Sequence, residues 1–516
     1  MKLTRQRQLL LLAIAVAGCA LYLGATLAQI GHQAYPLDDA WIHLTFARNL
    51  ALGKGFAFVP GQPSAGSTSP LWAFALAPGF LWPFGPDAWV YTLGIVLLFA
   101  SAVLTYRVTA RLFPDAPALP LVAAVVSAFE WHLNWAAFSG METVAFITLL
   151  LLLLDLYLER RPLWLVGLVG GLCIVTRPES VMMLGLIGMH RLASGVLPGA
   201  APRPEGVPSG RLPAQPAPAS DSLRRRVLDL ALLTAGCLVA VIPYVAFNWV
   251  TSGFLFPNTF YAKQAEFADL LAQTPLLVHL FELLTITFIG AEVLLAPGFV
   301  WAAWLIIRER RWDAAVLLGW WLAIALVYTV RLPSTFQHGR YEMPMIPGTI
   351  ILGLWGTWRL REFLPTGALR RVGTRAWQIA FPLLLLVFWV RGALAIATDA
   401  EIMDCMVVKT AQWLQTNTQP NDIIAVHDIG AAGYYVHDRT LLDLAGLITP
   451  DVIPIIRDEP KLMQYILAHN ATYLVTSAAW HPEMIVDAHA HPAYVGYCPV
   501  VRQAGGYEMG IYRLTQ

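Results

Sequence analysis

Two adjacent carboxylates, Asp38 and Asp39, open the stretch Asp38-Asp39-Ala-Trp-Ile-His43, just after Tyr35-Pro36-Leu37. Close carboxylates raise one another's proton affinity, which suits a general base that takes a proton from a hydroxyl. Pro36 and the two acids also mark a helix start, because negative charge is favoured at the positive end of the helix dipole. Apolar Trp41, Ile42, Leu44, Phe46, Ala47 and Leu50 then predict an amphipathic helix over 38–51, lying at a membrane surface. His43 follows Asp39 by four residues and shares its face. Helix capping accounts for one acid; two side by side ask for more.

The elements that hold these residues are set by composition. Of 516 residues, 57% are hydrophobic and only 13% charged, against about 25% charged in soluble chains. Mean hydropathy is +0.59. This excludes a disordered chain, a coiled coil and an ordinary cytosolic enzyme. Lys and Arg number 34 against 33 Asp and Glu, a formal net charge of +1. No bulk field attracts nucleic acid, so none is expected as a partner. Five Cys in this length exclude a disulfide scaffold, although Cys405 and Cys498 fall together in the outer tail, where a bridge is permitted. The class is an all-α polytopic membrane protein with a small C-terminal α/β domain.

Apolar runs of the length a bilayer demands lie near 9–29, 88–112, 118–139, 141–158, 163–175, 180–192, 228–249, 277–307, 313–331, 343–360 and 376–396, about eleven spans. Arg177-Pro178 separates two short ones. With the N-terminus inside, 21 of the 34 Lys and Arg fall on inner segments. That bias places the tail outside. Val16-Ala-Gly-Cys19 has the look of a lipoprotein box, but apolar residues continue to about Ile30, so the first span is read as uncut. The expected organisation is a membrane domain, 1–398, with a first outer loop over 30–87 and a Pro- and Ala-rich cytoplasmic linker over 193–227. An outer α/β domain follows over 399–516, with strands at 422–427 and 472–477 and a helix at 459–469.

The first outer loop continues through Pro60-Gly61 to Gly66-Ser67-Thr68-Ser69-Pro70-Leu71-Trp72, a turn-rich stretch whose small residues let backbone N–H groups approach a sugar or phosphate. Later come Ser139-Gly-Met-Glu142-Thr, Thr176-Arg177-Pro-Glu179, Pro257-Asn258-Thr-Phe-Tyr261-Ala-Lys263, Gly339-Arg340-Tyr341 with Pro344 and Pro347, and Asp428-Ile-Gly430-Ala-Ala-Gly433-Tyr434 before Asp443-Leu-Ala-Gly446-Leu447. Together, from about 35 to 450, these resemble the GT-C superfamily of glycosyltransferases, and within it the terminal arabinofuranosyltransferase group of mycobacteria and its bacterial relatives. Where that group tends to carry Glu-Gly-Tyr-Thr, this chain has Ala65-Gly66-Ser67-Thr68, a departure that bears on the donor sugar more than on the reaction.

The resemblance implies transfer with inversion on the outer face of the membrane, from a polyprenyl-phosphate sugar donor to an acceptor glycan, lipid or protein. It implies Asp38 as the base, with Asp39 its partner. His43, Arg177, Glu179, Asn258, Tyr261, Lys263, His338, Arg340 and Tyr341 are the candidate substrate-binding residues. Outer cations at membrane ends are few, and a departing phosphate needs one. Plainer readings stand beside these: an Arg177–Glu179 pair, Lys263 reaching for lipid headgroups, Arg340 and Tyr341 anchoring the interface, Glu142 capping its helix. Asp38, Asp39 and His43 are fewer ligands than an oxygen-rich cation site takes, so no obligatory metal or other cofactor is expected, with a divalent ion left open. The rival functions are a transporter or lipid flippase, a polymerase or ligase without an acid base, and a non-catalytic cell-envelope assembly subunit. No internal repeat favours a transporter, and the Asp38-Asp39 pair argues against the second.

Overall fold

The structure is a computed structural model that describes residues 3–193, 223–332, 336–363 and 367–515. Most of the expected linker lies outside the described residues. Twenty-two α-helices and five strands are described. The membrane part begins with α1 (Arg5–Ile30), α2 (Asp39–Ala51), α3 (Pro70–Leu76), α4 (Gly85–Leu112), α5 (Leu119–Phe129) and α6 (Trp131–Phe138). It continues with α7 (Thr143–Leu158), α8 (Leu163–Thr176), α9 (Val181–Ala193), α10 (Leu223–Ser252), α11 (Asn258–Glu266), α12 (Ala268–Gln273) and α13 (Leu276–Ile286). It ends with α14 (Ala296–Arg308), α15 (Trp312–Arg331), α16 (Phe336–Gly339), α17 (Ile346–Phe363) and α18 (Ala368–Met403).

Among the described residues, six helices are long and apolar enough to cross a membrane, or seven with the bent α5–α6 pair counted as one span. The chain is a multi-pass membrane protein. The eleven spans expected from hydropathy are not all of this kind, because several apolar runs are broken. One bends by 52° between α5 and α6. There Glu130 leaves helical geometry and its side chain accepts the Leu133 N–H, while Asn134 Nδ2 donates to the Ala128 and Glu130 carbonyls, so the break exposes few unsatisfied backbone groups. Another breaks at Arg177, held extended (φ −150°, ψ 120°) because a residue before proline is kept out of the helical region. Ser69 Oγ donates to the Thr176 carbonyl at 2.6 Å, taking up a carbonyl at that break.

Close helix pairs use small residues where hydrocarbon gives no drive to associate. A Cβ on Gly167 of α8 would lie 1.9 Å from the Leu233 carbonyl of α10, and one on Gly356 of α17 would lie 1.8 Å from the Gly298 carbonyl of α14.

The C-terminal part, the outer domain of the expected topology, holds α19 (Lys409–Asn417), α20 (Ile429–Tyr435), α21 (Glu459–Ala468) and α22 (Pro499–Gln503), with β1 (Ile423–Val426), β2 (Thr440–Asp443), β3 (Tyr473–Ser477), β4 (Ala490–Val495) and β5 (Met509–Leu514). The sheet order is β2-β1-β3-β5-β4; β1 runs parallel to β2 and β3, and β5 is antiparallel to β3 and β4. Both expected strands and the expected helix are present. Leu444, Leu462, Ile466 and Leu474 are fully buried in its core. Cys405 and Cys498 form a disulfide, Cα atoms 5.3 Å apart, joining the segment just beyond α18 to the chain leading into α22.

The expectation for 38–51 needs one correction. A helix forms there, but it does not present a polar face at the membrane surface: Ala40 to Ala47 are all buried, as is Asn49. The outer domain covers it. Asp38 Oδ2 and Oδ1 accept the Gly430 and Ala431 N–H at 2.6 and 2.8 Å, and Arg48 donates to the Tyr434 and Gly433 carbonyls at 2.7 and 3.3 Å. α2 thus offers an acid to the start of α20 and a cation to its end, complementing that helix's dipole at both termini. Glycine makes the approach possible: a Cβ on Gly430 would fall 2.1 Å from the Asp38 carbonyl oxygen, and one on Gly433 would fall 2.1 Å from Phe58.

Candidate active site

Beneath this contact lies a cavity of about 550 Å³. α2 brings Asp39 and His43 to it, the turn-rich loop Gly66, Ser67 and Thr68, the α6–α7 junction Glu142, and the broken span Arg177 and Glu179. α11 brings Tyr261 and Lys263, α15 Tyr328 and Arg331, and the loop before α17 brings Arg340 and Tyr341. The outer domain closes it with Leu447. That residue is placed by Asp443, whose two oxygens accept the Ala445 and Ile448 N–H at 2.8 and 2.7 Å and so shape the loop after β2. One side of the cavity is apolar: Val181, Met182, Phe256, Phe260, Val327 and Leu332. Val181 and Phe256 also have exposed side chains.

The polar side is a linked set of charges. Arg340 Nη2 meets Asp39 Oδ2 at 2.7 Å, and Lys263 Nζ stands 4.0 Å from the same oxygen. Lys263 and Arg340 both donate to the Tyr341 hydroxyl, at 2.8 and 3.0 Å. Arg340 and Arg177 stack against the Tyr341 ring at 4.9 and 5.0 Å from its centroid. Further in, Glu142 pairs with His43 at 3.2 Å and Arg177 at 3.3 Å, Arg177 pairs with Glu179 at 3.3 Å, and Tyr328 donates to Glu179 at 2.6 Å.

Donors are left over. Among the described residues, buried Arg340 finds no partner for Nε and Nη1, and buried Arg177 none for Nη1. Unpaired guanidinium donors away from water are costly, and a cavity wall that carries them is suited to an anion. Beside them the Glu342 carboxyl is fully buried and burial pushes it up to about 8, so at neutral pH it cancels little of their charge.

The two adjacent acids differ. Burial works against charge on Asp39, but Arg340 and then Lys263 outweigh it and hold the carboxyl well below the usual range. Asp38 has no cation on it; burial first and the Asp428 charge second push it up to about 8, against the pull of the Ala431 and Gly430 N–H groups. Tyr341 is raised by burial but brought below its ordinary value by Arg340 and Lys263, and Lys263, which burial alone would lower, is held up by Tyr341 and Asp39.

Eight of the eleven residues expected at the site, Asp39, His43, Arg177, Glu179, Tyr261, Lys263, Arg340 and Tyr341, line this one cavity. Asp38 does not line it; it stands next door, half-buried, on the α20 N-terminus. Asn258 lines a smaller neighbouring cavity of about 220 Å³, with Nδ2 donating to the Leu447 carbonyl at 3.1 Å. His338 is turned to Asp399 at 2.8 Å and packs on Trp131 and Trp135. Of the plainer readings, Arg177 does pair with Glu179 but also with Glu142, Lys263 bonds Tyr341, and Glu142 makes no cap hydrogen bond. Glu142, Tyr328 and Glu342 were not singled out as site residues; Glu142 stood in a motif, whereas Tyr328 lies in an apolar span with nothing to mark it.

An oligosaccharyltransferase of Archaeoglobus fulgidus, tethered to an acceptor peptide, aligns with 98% of this chain and 74% of its own length, at 10% identity and a TM-score of 0.56. The same enzyme in complex with an inhibitory peptide and a dolichol-phosphate aligns with 99% of this chain and 75% of its own, at 10% identity and a TM-score of 0.55. The chain shares the fold of these solved oligosaccharyltransferase structures. A mycobacterial arabinofuranosyltransferase, AftD, also aligns along the chain, at 14% identity and a TM-score of 0.43 over 42% of its length. A family profile described as a domain of unknown function (DUF8728) matches residues 395–512, the C-terminal part of the chain. No curated protein matches in sequence.

Proposed function

We propose that the chain is a membrane glycosyltransferase that moves a sugar from a polyprenyl-phosphate donor to a hydroxyl of an acceptor glycan, lipid or protein, on the outer face of the cell membrane and with inversion. The N-terminus is then cytoplasmic and the α/β domain extracytoplasmic. The observation that carries this reading is one cavity joining an apolar wall to buried arginines with unpaired donors. Such a shape takes a prenyl chain on one side and its phosphate on the other. The oligosaccharyltransferase of similar fold has been obtained with a dolichol-phosphate, which agrees.

In the reaction the acceptor oxygen attacks the anomeric carbon, the bond from that carbon to the phosphate oxygen breaks, and the prenyl phosphate leaves with the electron pair. Arg340, Lys263 and Arg177 stabilise the charge that builds on it. Asp38 takes the acceptor proton. It is the better base of the pair because no cation holds its charge down, and a carboxylate oxygen that accepts one N–H keeps another lone pair for a hydroxyl. Asp39 balances Arg340 and Lys263 until phosphate arrives. A second reading makes Asp39 the base, favoured by its place on the cavity wall. No obligatory metal is part of the proposal, and activity in a chelator decides the matter.

The test is a donor screen: purified full-length protein with polyprenyl-phosphate sugars differing only in the sugar. Release of prenyl phosphate that needs both an acceptor and Asp38 supports the reading. Failure of every polyprenyl phosphate to bind would overturn it, and movement of the lipid between leaflets without bond cleavage would make the chain a flippase.

A further inference from the structure

At the face opposite the outer domain, most clustered arginines have carboxylate partners. Arg107 meets Asp155 at 2.8 Å, Arg111 meets Glu159 at 2.9 Å, Arg311 meets Asp115 at 3.0 Å, and Arg359 meets Glu309 at 2.6 Å. A few residues on, Arg361 at the end of α17 and Arg370, Arg371 and Arg375 at the start of α18 surround a cavity of about 480 Å³, completed by Gly367, Thr374 and Gln378. No acid lines it. The nearest in sequence, Glu362, is engaged by Arg359 at 3.4 Å. Among the described residues none of these four arginines makes a salt bridge.

The positive-inside tendency explains why arginine lies on this face. It does not explain why four arginines line one cavity with no acid among its described lining residues, a gathering of like charge, three of the four side chains exposed, that is apt to receive an anion. Residues 370, 371, 374, 375 and 378 recur at helical spacing, on one side of α18. Depth narrows the anion. α18 has 36 residues, about 54 Å of helix, well over the ~30 Å of hydrocarbon. Arg375 and Arg391 bracket its apolar run, Ala376 to Val390, so the cavity sits where that run ends and lipid phosphates lie.

We propose that Arg361, Arg370, Arg371 and Arg375 form a headgroup site for an anionic phospholipid, whose phosphate oxygens match the planar fork of arginine. The site is independent of the sugar-transfer chemistry. Basic pockets between spanning helices on this side of a membrane are apt for such headgroups.

The experiment is a lipid titration of the delipidated full-length protein, read by native mass spectrometry, with phosphatidylglycerol, cardiolipin and phosphatidylcholine in separate arms. Wild type should retain the two anionic lipids over phosphatidylcholine. Arg370→Gln/Arg371→Gln should lose about 30-fold in their affinity, the equivalent of about 1 kcal/mol for each arginine near an anionic surface. Arg5→Gln/Arg7→Gln, at the exposed start of α1, removes the same charge elsewhere and should leave affinity unchanged. Arg370→Lys/Arg371→Lys keeps the charge and tests the fork should the first variant fold poorly; it should bind more weakly than wild type. Equal retention of all three lipids, or an equal loss in the α1 variant, would refute a built site. Displacement of phosphatidylglycerol by stoichiometric inorganic phosphate would reassign it to a soluble phosphate compound.

Discussion

Two charged clusters sit at opposite ends of the bundle and handle their charge in opposite ways. At one end Asp155, fully buried, accepts from Arg107 and Arg111, while Glu159 accepts from both and from Arg161. The arginines there are 30–54% exposed at the side chain, so water shares the load. At the other end Arg177 and Arg340 have side chains only 7% and 6% exposed, carry fewer acids than they have donors, and border a cavity. Pairing at water is what a structural network needs. Unpaired charged donors out of water are costly, and where they border a cavity they are placed to meet an anion.

The sharpest way to break this contrast is at the outer acids. Asp38→Asn keeps shape and hydrogen bonding but removes the charge, and should lower transfer by about two to four orders of magnitude while donor binding persists. Asp39→Asn should cripple transfer less. A larger loss in Asp39→Asn than in Asp38→Asn would move the base to the cavity wall. Next in size is Arg340→Ala. It removes charge-assisted bonds, each of about 1.5–3 kcal/mol, so donor affinity should fall by about 10- to 100-fold, measured by binding of a non-hydrolysable polyprenyl phosphonate. Full donor affinity in that variant would detach the unpaired donors from phosphate.

The pH profile follows in magnitude. Asp38 is raised to about 8 by burial and Asp428, so its basic form appears as pH climbs, and kcat/KM should rise about tenfold per pH unit below that limb. Stability should move the other way. An acid whose folded pKa lies above its unfolded value binds its proton more tightly when folded, so stability falls as pH rises between the two. Asp38→Asn should erase both trends. An unchanged rising limb in Asp38→Asn would assign the titration to another group.

Asp155→Asn is the inner counterpart. It leaves Arg107 and Arg111 without their buried partner, and should lower unfolding stability by about 1–3 kcal/mol with kcat/KM unchanged. Thermal melting and initial rates on one preparation separate the two effects.

Much of the outer end was legible because its chemistry sits in short motifs. Asp-Asp with His43, Thr-Arg-Pro-Glu, Asn-Thr-Phe-Tyr-Ala-Lys and Gly-Arg-Tyr are local signals, and eight of the residues expected from them meet in one cavity. What stayed hidden depends on contacts hundreds of residues apart. Nothing local says that Asp38 would reach Gly430, 392 positions away, or that α2 would be roofed by α20 rather than lie on lipid. His338 resembled a site residue because it precedes Arg340, yet Gln337 and His338 both adopt left-handed backbone (φ 56° and 59°), and His338 ends on Asp399. Hydropathy also reads the run over 118–139 as one straight span, because a sum over residues passes across the single residue, Glu130, at which the helix bends by 52°.

The smallest expected effect tests the comparison from its quiet side. Among the described residues Glu159 makes as many ion pairs as any, at 3.2, 2.9 and 3.1 Å to Arg107, Arg111 and Arg161. A count of contacts would rank it above Asp39. Its side chain is nevertheless 27% exposed, and exposed pairs are worth about 0–1 kcal/mol because water and salt screen them while ordering long side chains costs entropy. Glu159→Gln also keeps hydrogen-bond acceptance at one oxygen. It should therefore cost less than about 1 kcal/mol, shrink further in high salt, and leave transfer at the wild-type rate. Urea unfolding at two ionic strengths reads the first two, and initial rates the third. A tenfold loss of transfer in a normally folded Glu159→Gln protein would mean the two ends are coupled through the bundle, and that exposure is the wrong criterion for telling a scaffold from a site.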